Sequence, residues 1–167
     1  KMAVSTTSSG TFTGKVINAI PVHKAGSLIT GSGIGLANDL SGKWAVVDVL
    51  SYESTAAKNI HILCDSSATT QPKAGHVANA EAKVCADAII RSFNGETIIP
   101  SPVTNASCFT PITKTTASWL SVVYKYDPVS KIMVPAGSGI IEARSATSEN
   151  YEDMLKWFNN LMADTFS

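Results

Sequence analysis

The sequence predicts an α+β fold: a mixed first half, then a small antiparallel sheet closed by a C-terminal helix. Three observations carry this. Val77, Ala80, Val84, Ala88 and Ile89 recur at helical spacing over residues 75–93. Residues 119–126 (W-L-S-V-V-Y-K-Y) form a run rich in β-branched and aromatic residues, and turn signals bracket it. Tyr151, Met154, Leu155, Phe158, Leu161 and Met162 then share one helical stripe near the end of the chain.

Taken in order, residues 1–10 read equally as a strand or a frayed end. Residues 12–20 read as a strand with Val16, Ile17 and Ile20 apolar, and Pro21 closes it. The Gly31-Ser32-Gly33-Ile34-Gly35 loop imitates a dinucleotide fingerprint. No helix-length apolar pattern follows and a second turn, Asn38-Asp39, arrives at once, so it reads as a flexible loop. Residues 44–50 are a second apolar run, and a third strand is expected from Ile60. The helix over 75–93 meets a good C-terminal stop in Asn94-Gly95. Pro100 and Pro102 then mark an extended connection, so a boundary falls near Gly95. Cys108-Phe109 lies in a polar run before Pro111. After the strand over 119–126, Asp127-Pro128 turns the chain, residues 131–134 return, and Gly137-Ser138-Gly139 turns it again before Ile140-Ile141, as in an antiparallel meander. The final helix is expected to be capped by Asn150, with Asp153 three residues on and its apolar stripe in the core.

Composition narrows the function classes. Of the 167 residues, 44% are hydrophobic and 16% charged, as in a chain that buries a core. Thirteen basic residues balance thirteen acidic ones with no basic block, which argues against nucleic acid or an anionic membrane as partner. No apolar run reaches the length of a membrane span, and the Ser/Thr-rich opening shows no signal-peptide pattern. The three cysteines, Cys64, Cys85 and Cys108, and three histidines fit no zinc spacing, so no metal site is expected. An odd cysteine count leaves two readings: three inert buried thiols, or one that pairs with a sulfur outside this chain. Cys85, inside the helix, reads as core.

Residues 60–83 carry the most specific chemistry. An apolar run (Ile60, Ile62, Leu63) ends at Cys64-Asp65-Ser66, a polar loop with Pro72 follows, and a helix starts at Gly75. Strand, acid, loop and helix is how a flavoprotein holds the polyol and phosphates of its dinucleotide. The acid bonds hydroxyls, and the helix start offers free N–H groups and a positive dipole end. On that reading Asp65, with Ser66, binds the polyol; the alternative for Asp65 is a turn or helix cap. Lys73, Ala74 and Gly75 form the flavin-side helix start; the alternative is an ordinary helix start.

Pieces in order along the chain carry a family. They are Val16-Ile17-Asn18-Ala19-Ile20-Pro21, Lys24-Ala25-Gly26, Gly35-Leu36-Ala37-Asn38-Asp39, Tyr52-Glu53-Ser54, Lys58-Asn59-Ile60-His61, Pro72-Lys73-Ala74-Gly75-His76, Asn105-Ala106-Ser107-Cys108-Phe109 and Trp157-Phe158-Asn159-Asn160. From about Val16 to Ser167 the chain resembles the C-terminal part of the flavoprotein subunit of flavocytochrome c sulfide dehydrogenase, in the FAD-dependent pyridine nucleotide-disulfide oxidoreductase superfamily. The resemblance departs at Cys64, where the family usually has glycine, and at His76, where it tends to place an aromatic.

The resemblance implies FAD as cofactor and sulfide as substrate. A disulfide beside the flavin is attacked by sulfide, and electrons pass through the flavin to a c-type cytochrome subunit in the periplasm. Cys108 would be the catalytic half-disulfide, its mate encoded upstream. Trp157 would pack near the isoalloxazine; it reads equally as a packing residue. Residues 1–95 would be the remnant of an incomplete flavin-binding domain and residues 96–167 the family's C-terminal domain, a fragment inactive alone. The rival expectation is a non-catalytic docking or dimerisation module with degenerate flavin contacts. Strand edges and apolar faces left exposed would favour its self-association.

Overall fold

An antiparallel hairpin opens the computed structural model, which describes residues 3–7 and 10–166. In it β1 (Ala3–Thr7) pairs with β2 (Gly10–Gly14). The strand expected over 12–20 therefore stops at Gly14. Val16 and Ile20 are 78% and 85% exposed, and neither pairs with a strand among the described residues. Apolar residues hold an extended ladder only with a neighbour to pair with and a face to cover.

A short helix, α1 (Ser27–Thr30), precedes the glycine loop. Ala25, Ile29, Leu36, Ala45 and Ile62 pack there into a small core. The run at 44–50 yields only β3 (Val47–Asp48), paired with β4 (Glu53–Ser54). Asp48 ends it: its carbonyl accepts the Ser51 and Tyr52 N–H groups, and its carboxylate accepts that of Leu50 at 3.0 Å. The strand expected from Ile60 is likewise absent. An isolated bridge between Glu53 and His61 stands in its place, with Ile62 N–H on the Tyr52 carbonyl (2.9 Å) and Ser54 N–H on the Ile60 carbonyl (2.7 Å). Left-handed residues bracket this segment, Asn59 at φ 61° and Cys64 at φ 44°, and turn the chain out of extended backbone at both ends. The chain passes at once into a single 3₁₀ turn, Cys64–Ser66.

The central helix forms as the periodicity predicts: α2 runs Gly75–Asn94. Gly95, at φ 69°, closes it in the left-handed conformation that suits glycine, with Glu96 N–H on the Arg91 carbonyl at 2.8 Å.

The second half is a sheet. β5 (Val103–Pro111) pairs along its whole length with β6 (Ala117–Asp127). The polar run around Cys108 is thus a strand, one the sequence did not single out; its support is the long, β-prone β6. β7 (Ile132–Pro135) pairs with β6 at residues 124–127, and β8 (Ile141–Glu142) pairs with β6 at residues 120–121. Both lie on the edge of β6 away from β5, so the expected meander becomes a sheet whose third row is broken by the glycine turn.

The last helix, α3 (Ser148–Phe166), starts before the expected cap. Thr147 Oγ1 accepts the Asn150 N–H at 3.1 Å and performs the capping. Asn150 sits inside the first turn, where its Oδ1 takes the Trp119 indole N–H at 3.2 Å and its amide donates to the Ser145 carbonyl. The apolar stripe of α3 is not core. No residue of the helix is fully buried, and Leu155 and Phe158 are 46% and 51% exposed. A sheet with two long strands gives a floor too narrow to cover it.

The main core joins both halves. Val49 and Val77 pack with Ala106, Val122, Tyr124 and Met133. Buried polar groups stitch the same seam: Tyr52 OH donates to Gln71 Oε1 at 3.2 Å, and Gln71 Nε2 donates to Thr104 Oγ1 at 2.7 Å. Among the described residues every buried side-chain nitrogen or oxygen has a partner, as desolvation demands.

Candidate functional site

The loop from Cys64 to Gly75 wraps the start of α2. Cys64 holds a positive φ of 44° that costs an ordinary side chain about 1–2 kcal/mol and suits glycine. The thiol turns inward: its Sγ lies 3.0 Å from Asp65 Oδ1 and 3.4 Å from the Ala74 carbonyl. Burial, with the Asp65 bond and charge adding to it, pushes this thiol up to about 11. It is a structural thiol, not a nucleophile.

Glu81 holds the strained backbone in place. Its side chain is fully buried on α2. Oε2 accepts the Cys64 N–H at 2.6 Å, and Oε1 accepts the Thr69 hydroxyl at 3.4 Å, so one carboxyl group staples the loop at its start and its middle. Burial raises its pKa against the pull of those bonds. The sequence analysis missed Glu81. The signal was present, since Glu81 lies four residues from both Val77 and Cys85 and so shares their stripe.

The predicted binding residues gather here. Asp65 is exposed beside the Cys64 thiol. Ser66 ends the 3₁₀ turn, with its carbonyl on the Ala45 N–H at 3.0 Å. Lys73 braces the loop: Nζ donates to the Ser67 carbonyl at 2.5 Å and the Cys64 carbonyl at 3.2 Å, and lies 5.2 Å from the Trp44 ring centroid. Its charge is thus spent on the loop rather than aimed freely at the helix start. Ala74 is the N-cap of α2 and no side chain caps the helix. Gly75 is exposed, and a Cβ built there would meet nothing within 4 Å. The helix thus starts without a side-chain cap, and its Gly75 end is open to solvent while Val77, in the same turn, is fully buried.

Cys108 stands nearby on β5. It is exposed, whereas Cys64 and Cys85 are buried. Strand alternation puts it on the sheet face of Ala106, opposite Ser107 and Phe109. Trp157 lies on that opposite face, 5.3 Å from Phe109 and 5.8 Å from His76 between ring centroids. The sheet thus separates the Cys108 and Trp157 side chains. His76 joins the two parts: its Nδ1 accepts the Ser107 N–H at 3.1 Å and the Trp157 indole N–H at 3.4 Å. A groove of about 800 Å³ opens between α2, α3 and β5, with His76, Asn105, Phe109, Trp157 and Asn160 among its walls. Burial, helped by Lys83, pulls the His76 pKa below the ordinary histidine range.

Among the described residues no group of three or more His, Cys, Asp or Glu could hold a metal ion, and no helix is long and apolar enough to cross a membrane. What the arrangement offers chemically is an open helix start with an exposed acid close by, and one accessible thiol on the strand tied to that helix.

Residues 100–166 match a family model described as flavocytochrome c sulphide dehydrogenase, flavin-binding. The match covers β5 to α3, and with it Cys108 and Trp157.

Proposed function

From the match of residues 100–166 to the flavin-binding family model of flavocytochrome c sulphide dehydrogenase, we propose that this chain is the C-terminal portion of an FAD-dependent sulfide oxidoreductase. The single observation that carries the reading is the pairing of an uncapped α2 start with an exposed Cys108, two groups linked through His76 and Ser107. The family match supports FAD as the cofactor of the parent flavoprotein, and the family's name points to sulfide and a cytochrome c partner.

The chain's residues fit that cofactor. Asp65 is exposed to accept polyol hydroxyls, and the inward turn of the Cys64 thiol keeps it from standing over the loop. The N–H groups at the start of α2 favour negative charge by about 0.3–2 kcal/mol. When bound, FAD supplies the two-electron acceptor. Cys108 supplies one sulfur of a redox disulfide whose mate lies upstream. Sulfide adds to the mate, the S–S bond breaks, the mate becomes a persulfide and Cys108 leaves as thiolate. Exchange of this kind needs access, which Cys108 has. Transfer of the persulfide's outer sulfur to a further thiolate or polysulfide acceptor, with the S–S bond re-forming, would release the two electrons that FAD takes up for a c-type cytochrome in a periplasmic setting, and the isolated chain is inactive because it holds only one of the two sulfurs.

The test is peptide mapping of the intact, oxidised flavoprotein. The peptide carrying Cys108 is expected in disulfide linkage to an upstream cysteine, and Cys108→Ser is expected to abolish sulfide-dependent cytochrome c reduction. A free Cys108 thiol in the oxidised enzyme would overturn the reading. The second reading, a non-catalytic docking module, rests on the uncovered stripe of α3, with Leu155 and Phe158 about half exposed. A flavin-free parent that still assembles with its partner would favour it.

A further inference from the structure

We propose that His76 is a positioning residue for Cys108: its Nδ1 lone pair clamps the stretch of β5 that presents the thiol. The proposal rests on the reading of Cys108 as a redox cysteine, but its geometry stands independently.

β5 is an edge strand, so its outward N–H groups have no strand to accept them. The Ser107 N–H, immediately before Cys108, is taken by His76 Nδ1 at 3.1 Å. Phe109, immediately after Cys108, packs at 5.3 Å against Trp157, whose indole N–H also points at His76 Nδ1, 3.4 Å away. Both neighbours of Cys108 are thereby fastened to one imidazole, Ser107 directly and Phe109 through Trp157. On the inner side the Ser107 and Ser121 hydroxyls bond each other at 2.9 Å. Cys108 itself, on the other face, stays exposed. The thiol is free while the backbone on either side of it is not.

The clamp needs the neutral ring with its proton on Nε2, because an imidazolium has no lone pair and can accept neither bond. The charged groups around it are few. α2 contributes Lys83, and α3 contributes Asp153 and Asp164. Lys83 is paired with Asp164 at 2.6 Å and Asp153 with Lys156 at 3.1 Å. β5 faces the groove with Val103, Asn105, Ser107 and Phe109, all uncharged. Burial and Lys83 both disfavour the imidazolium, so the ring is neutral at pH 7 and the clamp is closed there. Acidification opens it.

The experiment is amide hydrogen exchange at Ser107 by NMR on the full 167-residue chain, corrected for intrinsic rates, with the maleimide reaction of Cys108 followed alongside as a pH profile. In the wild type, exchange at Ser107 is expected to rise fivefold or more between pH 8 and pH 5, and the thiolate-corrected maleimide rate to change with the same midpoint. His76→Phe, which keeps a ring but removes the acceptor, is expected to show the fast exchange at every pH. His76→Gln, which restores an acceptor that does not titrate, is expected to recover protection and lose the pH dependence. Exchange at Ser107 that stays flat while the His76 ring protonates, read from the ring's own NMR shifts, overturns the proposal without needing any variant to fold. So does full protection in His76→Phe. Cys108→Ser separates the two readings: if the intact flavoprotein keeps its sulfide activity with that change while the Ser107 profile is as expected, the redox role fails and the clamp stands.

Discussion

Replacing Glu81 tests whether the loop beside α2 is held by geometry or by charge. Glu81 is 0% exposed and takes the Cys64 N–H at 2.6 Å. In Glu81→Ala that N–H, on a residue held at φ 44°, loses its partner inside the protein. A buried donor left unpaired costs about 1–3 kcal/mol, and losing the buried methylene adds about 0.8 kcal/mol. Release of the buried carboxyl group offsets part of this. A net loss of about 2 kcal/mol is expected, which for a chain of this size is a fall in Tm of roughly 4–8 °C. Glu81→Gln keeps an oxygen for Cys64 and can turn its amide to the Thr69 hydroxyl, so it is expected to stay within about 1 kcal/mol of the wild type.

The two variants also differ in pH dependence. Burial raises the folded pKa of Glu81 above its unfolded value. Between the two the folded protein holds more protons than the unfolded chain, so stability falls as pH rises from about 4.3 through the folded value. Glu81→Gln lacks that slope and should gain on the wild type across the window. Urea unfolding followed by circular dichroism at several pH values measures both effects. Equal losses in the Gln and Ala variants, or a wild-type-to-Gln difference that does not change with pH, would refute the account of Glu81 as a neutralisable acceptor.

Other outcomes follow from the same structure. Ellman's reagent on the native, reduced chain should titrate one thiol quickly, with Cys64 and Cys85 reacting only on unfolding, and Cys108→Ser should remove the fast phase. Thr147→Ala removes the acceptor for the Asn150 N–H and should cost about 1 kcal/mol in thermal or urea unfolding, whereas exchanging the sequence-expected cap, Asn150, would report on Trp119 instead. Lys83→Ala breaks an ion pair whose side chains are 62% and 44% exposed, and should leave the urea midpoint nearly unchanged, with any difference vanishing at high salt.

Helix α2, its glycine stop, strand β6 and helix α3 were legible because each carries a local signal: a 3.6-residue period, a left-handed glycine, a β-branched run. The strand expected over 12–20 broke off at Gly14 and the one from Ile60 did not form, because strand formation depends on a partner, and the sequence does not say which segments meet. β5 was passed over for the converse reason, since a polar run became a strand only because β6 lay alongside it. The loop around Asp65, Lys73 and Gly75 was legible by residue type and order. The destination of the Lys73 ammonium, the inward turn of the Cys64 thiol and the buried carboxyl group of Glu81 were not.

Residue order alone thus marked out the two long helices and the likeness of the chain's C-terminal part to a flavin-binding family, and through that likeness pointed to Cys108. Only the tertiary structure decided that this thiol is exposed while its two neighbours are tied to His76. It decided too that the sheet sets Trp157 on the other face. The physical reason is range. Periodicity and caps act over a few residues and are written locally, whereas His76 meets Ser107 across 31 residues and Trp157 across 81, through contacts that exist only once α2, β5 and α3 have packed.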